Sequence, residues 1–501
     1  MSYVKSGKVN TISFIGINIK KTYVECTLLS GIPSFIIVGL GGKTISESKE
    51  RVRSALITNG FIFPNCKIVI NLSPADIYKE GSHYDLPIAI AILCAMNEIN
   101  NSYLDKSLII GELALNGDIL FSKGVLPTVI FANKQQYNLV CGDINKNEII
   151  LPISVCTADN LKHLVIKLQK NNFELNTKTY KKLIKIQENI FDTIYGQEIG
   201  KRALIIAAAG RHNIVFIGQK GVGKSMLAKS INDLLPPLDE KEALDITSIH
   251  SIAGNLNFDN DYNSDNSDIL SYPVFRNPHS SSSLVSIVGG GSTPQPGEIS
   301  LAHNGILFLD ELPEFNSIII DSLRIPLEEK VIYISRVKYK IGYPADFQLL
   351  VAMNPCKCGN LLISKCVCGK KNYMNRVSSP IWDRIEIKVI LNKSDFNFSN
   401  KGISMVEAQN NILKARKKQK NRFNNYNSRV NLITLEQNGN FCENTINLVK
   451  DICIKKSLSG RSYLKCLSVA RTIADLDNSD NVKKEHILEA IFFIDMSSIG
   501  I

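Results

Sequence analysis

Two periodicities alternate along this chain. Short runs in the two-residue period of a strand, at 12–17, 24–29, 34–40 and 67–72, are separated by turns. A helical pattern covers 46–59, the apolar stretch 86–96 reads as a buried helix, and further strands are predicted near 108–111 and 117–121. These predict an α+β unit over residues 1–170. The stretch 161–187, rich in Lys, Asn and Thr with weak helical periodicity, reads as a connector, with 171–190 as its linker proper. The pattern then changes to helix 201–209, apolar run 214–217 and helix 226–235. The fully apolar run 306–309 reads as a buried parallel strand and 347–353 as a second strand, so residues 191–395 are predicted to form an α/β unit. Residues 396–501 are predicted to be mostly helical.

Composition narrows the class. With 501 residues and 44% apolar positions the chain is long enough for about three folded units. The formal charge of +11 suits a polyanionic partner and equally an ordinary basic protein, because the excess is spread widely. No signal peptide opens the chain, and 86–96 is too short to span a bilayer, so no membrane is expected and the expected compartment is cytoplasmic. Eight of the 12 cysteines (Cys26, Cys66, Cys94, Cys141, Cys156, Cys442, Cys453, Cys466) are scattered, mostly among apolar residues, and read as reduced core thiols.

The chemistry begins at Gly218-Gln219-Lys220-Gly221-Val222-Gly223-Lys224-Ser225, between the apolar run and the helix. This G-x-x-x-x-G-K-S spacing lets successive backbone N–H groups turn around phosphate oxygens, with Lys224 on the β- and γ-phosphates of ATP and Ser225 on Mg²⁺. The run ending at Asp310-Glu311 places two carboxylates at the end of a parallel strand. Asp310 is expected to hold Mg²⁺ through water, and Glu311 to orient or polarise the attacking water. Asn354 ends the next apolar strand and is a candidate to position that water. Together these turn nucleotide binding into hydrolysis.

Three other features carry chemistry. Cys356-Lys357-Cys358-Gly359 and Cys366-Val367-Cys368-Gly369 fit a structural Zn²⁺ knuckle in which four thiolates pin a small loop. The segment 333–343 alternates in the strand period and carries Arg336, Lys338 and Lys340 between tyrosines, which suits phosphate contact and base stacking as well as a solvated hairpin. The glycines 289–291 allow either close backbone approach or a free turn, and the basic run 414–422 reads as a solvated helix face. The histidines show no metal spacing, and His250, His279 and His303 are expected to hydrogen-bond locally.

Gly31-Ile32-Pro33-Ser34-Phe35, Asn71-Leu72-Ser73-Pro74-Ala75-Asp76 and Asp85-Leu86-Pro87-Ile88-Ala89 resemble the Lon-protease-like amino-terminal domain of the magnesium-chelatase-like ComM/YifB family of bacterial ATPases. Gly297-Glu298-Ile299-Ser300-Leu301-Ala302-His303, Phe308-Leu309-Asp310-Glu311-Leu312-Pro313-Glu314-Phe315 and Val469-Ala470-Arg471-Thr472-Ile473-Ala474-Asp475-Leu476 resemble the AAA+ module of the same family. The resemblance covers most of the chain. It implies an α/β fold: a P-loop AAA+ core with a parallel sheet, an α+β Lon-like domain and a helical carboxy-terminal lid.

The resemblance also assigns roles. Gly196 and Gln197 would lie against the adenine, Arg461 would be the second sensor arginine, and Arg384, with Arg376 in reserve, would be an arginine finger supplied to a neighbouring copy in a homo-oligomeric, hexameric ring. Ser379, Ile381 and Trp382 depart from the family pattern of a glycine and two leucines. The Lon-like serine position falls at Asp85 or its neighbours, and the lysine position holds Leu126. Ser82 beside His83 is the remaining candidate pair, so the expected domain is the protease fold without its dyad. The implied function is an ATP-driven ring motor on single-stranded or branched DNA, resembling a branch-migration helicase. The alternative is a chelatase-like ATPase that remodels a protein partner or drives metal insertion.

Overall fold

A computed structural model describes residues 5–39, 41–177, 189–256, 269–291, 294–336, 339–356, 373–392, 402–456 and 458–495. The amino-terminal part is built on the antiparallel pair Lys5–Ile15 and Asn18–Leu29. It extends to an eight-stranded sheet in the order Glu174–Leu175, Ser154–Ala158, Asn138–Gly142, Ser107–Ile109, Lys5–Ile15, Asn18–Leu29, Lys67–Ser73, Ser34–Val38. The helix Asp85–Ala95 is apolar on all sides, and it is buried on all sides. It lies so close to the first strand that a Cβ at Gly7 would stand 2.3 Å from the Ala91 carbonyl oxygen.

The connector expected from 161 onward is in its first part a helix, Leu161–Gln169. Leu161, Leu164, Val165 and Leu168 are buried in the helical spacing, Asn160 caps the first turn, and polar residues occupy most of the outer positions. Its polar composition hid a narrow apolar stripe. Residues 178–188 lie outside the described residues.

The second sheet is parallel throughout, in the order Phe275–Arg276, Ile306–Asp310, Gln348–Met353, Ile214–Gly218, Ile387–Leu391. The helix Glu198–Gly210 packs beside it, and the helix predicted over 226–235 is two pieces, Lys224–Lys229 and Ile231–Leu234. Between the glycine loop and the strand Ile306–Asp310 lies an unforeseen helix, Glu240–Ala253, started by an Asp239–Glu242 capping box. The acidic run 257–268 lies outside the described residues. Of the two alternatives for the glycines, the observed one is close backbone contact: Gly289–Gly290 pairs with Gln295–Pro296, and a Cβ at Gly289 would meet the Gln295 carbonyl at 2.6 Å.

Helices Met405–Phe423, Leu432–Asn438, Glu443–Lys455, Gly460–Leu476 and Lys484–Ile494 follow. Their apolar faces share one core with Glu198–Gly210 and the parallel sheet. Asp475, fully buried, accepts from Arg422 and Arg471 at 2.8 and 3.0 Å, so the inner end of this helical part is fixed by paired charge. No helix among the described residues is long and apolar enough to cross a membrane.

The two sheets are joined by packing. Leu126 and Ile150 of the first part share an apolar cluster with Leu238, Ala243, Ile246 and Ile269 of the second. Gly124 N–H donates to Ser251 O at 3.1 Å, and Glu148 accepts from Ser251, from Leu126 N–H and from Asn145. Burial pushes the Glu148 carboxyl above its ordinary range against those hydrogen bonds. The turn Ile15 to Ile17 packs under the hairpin Val331–Arg336 and Tyr339–Pro344.

Candidate nucleotide-hydrolysis site

Three neighbouring parallel strands deliver their carboxyl ends to one edge. Ile214–Gly218 runs into the glycine loop, Gln348–Met353 beside it ends at Asn354, and Ile306–Asp310 is the next strand out. The loop's glycines have separate reasons. Gly221 and Gly223 take φ of 82° and 86°, while a Cβ at Gly218 would stand 2.6 Å from Leu391 O on the adjoining strand.

Lys224 is buried, and its Nζ donates to Gly218 O at 2.9 Å, Gln219 O at 2.8 Å and Asn354 Oδ1 at 3.1 Å. Desolvation lowers its pKa, and the nearby Asp310 and Glu311 carboxylates act the other way. Ser225 Oγ donates to Asp310 Oδ2 at 2.7 Å. Glu311 has a left-handed backbone, φ 55°, and its N–H donates to Ala352 O at 2.8 Å, which turns the chain out of the sheet beside Asn354. The hydroxyl and carboxylate oxygens of Ser225 and Asp310 are the hard donor set that suits Mg²⁺. These residues would hold that ion, whose charge would help neutralise phosphate oxygens.

Asn354 and Glu311 line a cleft with His279, Ser281, Glu314 and Tyr373. Ser281 N–H donates to His279 Nδ1 at 3.2 Å, which places the proton of the neutral imidazole on Nε2. Neither His279 nor Ser281 stands in a motif that marks it as catalytic. Their loop reaches the cleft because Phe275–Arg276 pairs in parallel with Ile306–Leu307, and Arg276 is clamped by Glu298 at 2.6 and 2.7 Å. The expected local bonding holds for His279, whereas His250 bonds Leu301 O and His303 accepts from Asp346 N–H, both partners remote in sequence.

Gly196 and Gln197 both adopt positive φ at the start of Glu198–Gly210. Gln197 is buried and its Nε2 donates to Asn392 O at 3.2 Å, just past the edge strand next to the loop, so both flank the phosphate site. Arg384 and Arg461 are elsewhere. Arg384 Nη2 and Arg461 Nη2 meet the same Glu328 Oε1, at 2.6 and 2.8 Å. Arg376 donates to Pro313 O at 3.2 Å.

Among the other candidates, Lys340 is exposed on the hairpin, the Arg336 side chain is not described, and Lys338 lies outside the described residues. The hairpin's tyrosines divide: Tyr333 is half exposed, whereas Tyr343 is buried with its hydroxyl donating to Pro294 O at 2.8 Å. Cys356 is buried, and Cys358, Cys366 and Cys368 lie outside the described residues. Among the described residues no group of three or more His, Cys, Asp or Glu could hold a metal ion. Of the eight scattered cysteines, Cys442 is exposed rather than in the core, because it sits at the cap of Glu443–Lys455.

A phosphate loop, a hydroxyl–carboxylate pair and a polar strand end between them define a P-loop ATPase of the AAA+ class. Comparison with known families agrees across the chain: residues 190–398 match magnesium chelatase, subunit ChlI; residues 24–147 match subunit ChlI of Mg-chelatase; and residues 402–493 match the ChlI carboxy-terminal part. YifB of Escherichia coli, an uncharacterised protein, is 38% identical over 97% of this chain and 96% of its own length. The competence protein ComM of Haemophilus influenzae is 38% identical over 95% of each. The magnesium-chelatase 67 kDa subunit of Heliobacterium mobile is 28% identical over 33% of this chain and 28% of its own. The chain belongs to the ComM/YifB family of magnesium-chelatase-like AAA+ proteins.

Proposed function

We propose that this protein is an ATP-driven motor on DNA, assembled as a ring of identical copies in which Arg384 of one copy completes the phosphate site of the next. The observation that carries the hydrolytic half is the set Lys224, Ser225, Asp310, Glu311 and Asn354, gathered at one sheet edge from three strands. Lys224 and Mg²⁺ held by Ser225 and Asp310 would take the phosphate charge. Glu311 and Asn354 would orient the attacking water, and an arginine from a neighbour would stabilise the charge that moves in the transition state. The DNA half is supported by similarity to a competence protein, by the hairpin with exposed Lys340, and by the +11 charge.

Steady-state ATP turnover, measured with and without single-stranded and branched DNA across a salt series, tests this. The expected result is stimulation by DNA that weakens as salt rises, since phosphate contacts release counterions. Turnover indifferent to every DNA form, together with no salt-dependent DNA binding, would overturn it. Similarity to a magnesium-chelatase subunit favours a second reading, a chelatase-like remodelling ATPase stimulated by a protein partner. The four clustered cysteines are proposed to hold structural Zn²⁺, which metal analysis of wild type and a Cys366→Ser, Cys368→Ser variant would detect or refute.

A further inference from the structure

Glu328 sits near the end of the short helix Arg324–Glu329, immediately before the hairpin strand Val331–Arg336. Its Oε1 receives two guanidinium groups at once, Arg384 Nη2 at 2.6 Å and Arg461 Nη2 at 2.8 Å. The arginines come from different parts of the molecule, since Arg384 follows the turn Ser379–Trp382 and Arg461 opens the helix Gly460–Leu476. One turn further along that helix, Lys465 Nζ donates to Ile385 O at 3.2 Å, so the helical part is docked on both sides of Arg384.

Two guanidinium groups share one carboxylate oxygen, so neither makes the paired contact with a carboxylate that its fork of donors allows. The Arg384 side chain is 10% exposed, its Nη1 donates to Pro380 O, and its buried Nε has no hydrogen-bond partner among the described residues. Glu328 itself is half exposed, so water and salt screen its hold on the pair. A phosphate offers several charged oxygens in a geometry that guanidinium groups bind in pairs, and it would outbid one shared carboxylate oxygen.

We propose that Glu328 is a positioning residue which competes with nucleotide phosphate for Arg384 and Arg461. It holds both arginines when phosphate is absent and releases them to it when nucleotide binds. The inference rests on the reading above that Arg384 serves the phosphate site of the next copy, and on the sensor role that the family resemblance implies for Arg461. It adds a carboxylate that sets how readily they do so. Release would also be felt at the hairpin, because only Glu329 and Lys330 separate this carboxylate from its first strand, and Lys330 O accepts from Ala345 N–H at 2.7 Å to close the hairpin base.

The test uses the full chain with Glu328→Gln, and Glu328→Asp as the charge-keeping variant. Steady-state turnover gives kcat and KM, and a fluorescent ATP analogue gives Kd. Glu328→Gln is expected to lower KM for ATP and Kd for the analogue by about three- to tenfold, with kcat within about twofold of wild type and Glu328→Asp in between. An unchanged thermal unfolding midpoint separates this from a folding defect. Unchanged KM and Kd, or a loss of turnover as large as that of Arg384→Ala, would overturn the proposal. Arg384→Ala and Arg461→Ala distinguish the failures. If both turn over as wild type, the reading of the arginines falls and this inference with it; if either abolishes turnover while Glu328→Gln binds as wild type, only the competition falls.

Discussion

The phosphate site and the Ser82 region both gather serine, lysine and carboxylate side chains in a cavity, yet the groups are in opposite conditions. At the phosphate site, Lys224, Ser225, Asp310 and Asn354 bond to one another or to the loop's own carbonyls, and Glu311 and Asn354 face an open cleft. Around Ser82 a cavity of about 220 Å³ lies between the two sheets, lined by Ser82, His83, Glu112, Lys123, Gln295 and Tyr343. There the polar groups are committed to structure. Ser82 donates to Glu112, His83 Nε2 bonds Ile12 O, and Lys123 donates to Ala253 O across the joint between the sheets.

The positions a Lon-like dyad would use are similarly absorbed. Asp85, with no exposed surface, takes Arg51 Nε at 2.6 Å and Nη2 at 3.1 Å, and Leu126 lies in the apolar joint against Leu238 and Ile246. The contrast teaches that residue types shared by two cavities differ by what they are bonded to, and around Ser82 they are tied into packing. In the phosphate site the same residue types remain exchangeable, with ligands of the kind a phosphate and Mg²⁺ could replace.

Arg51→Ala breaks the contrast most severely, because it leaves the Asp85 carboxylate buried without its cation. A loss of about 3–5 kcal/mol in chemical unfolding is expected, with most of it regained in an Arg51→Met, Asp85→Leu double variant. A wild-type unfolding midpoint in the single variant would mean that Asp85 is not held by this pair. A smaller effect comes from His83, whose pKa burial lowers to about 4 from an ordinary value near 6.5. Between those values the unfolded chain binds a proton there that the folded chain does not. Stability therefore rises with pH through this window and falls as pH drops toward 4, by at most ~1.4 kcal/mol per pH unit for this group. His83→Asn should flatten the stability curve relative to wild type over that window, and an unaltered slope would show that the imidazole titrates freely. The smallest effect is expected of Ser82→Ala: ATP turnover within about twofold of wild type, and no peptide cleavage by either protein. Cleavage by wild type that Ser82→Ala abolishes would erase the contrast.

Legibility in the sequence followed how local each feature is. Gly218 to Ser225 and the run into Asp310-Glu311 are contiguous, and an apolar strand that ends in polar residues states its own geometry. Asn354 was also legible as a strand end, although only the strand order places it between the loop and Asp310. Glu328 carried no signal, since its partners come from segments remote in sequence and an acidic residue in a short helix has no motif. His279 and Ser281 carry no catalytic signal for the same reason: their place in the cleft depends on Phe275–Arg276 joining the sheet edge. The helix Leu161–Gln169 was obscured by lysines and asparagines around a four-residue stripe. The joint at Leu126 is an apolar residue like any other until the helix Glu240–Ala253 is seen packed against it.

The most direct test of the central claim is ATP turnover by Glu311→Gln beside its affinity for a fluorescent ATP analogue. Turnover is expected to fall by about 10²-fold or more while the analogue binds within a few-fold of wild type, since the amide keeps the shape and loses the charge that orients water. Hydrolysis at the wild-type rate with binding intact would contradict the assignment of Glu311 and, with it, the reading of this sheet edge as the hydrolytic site.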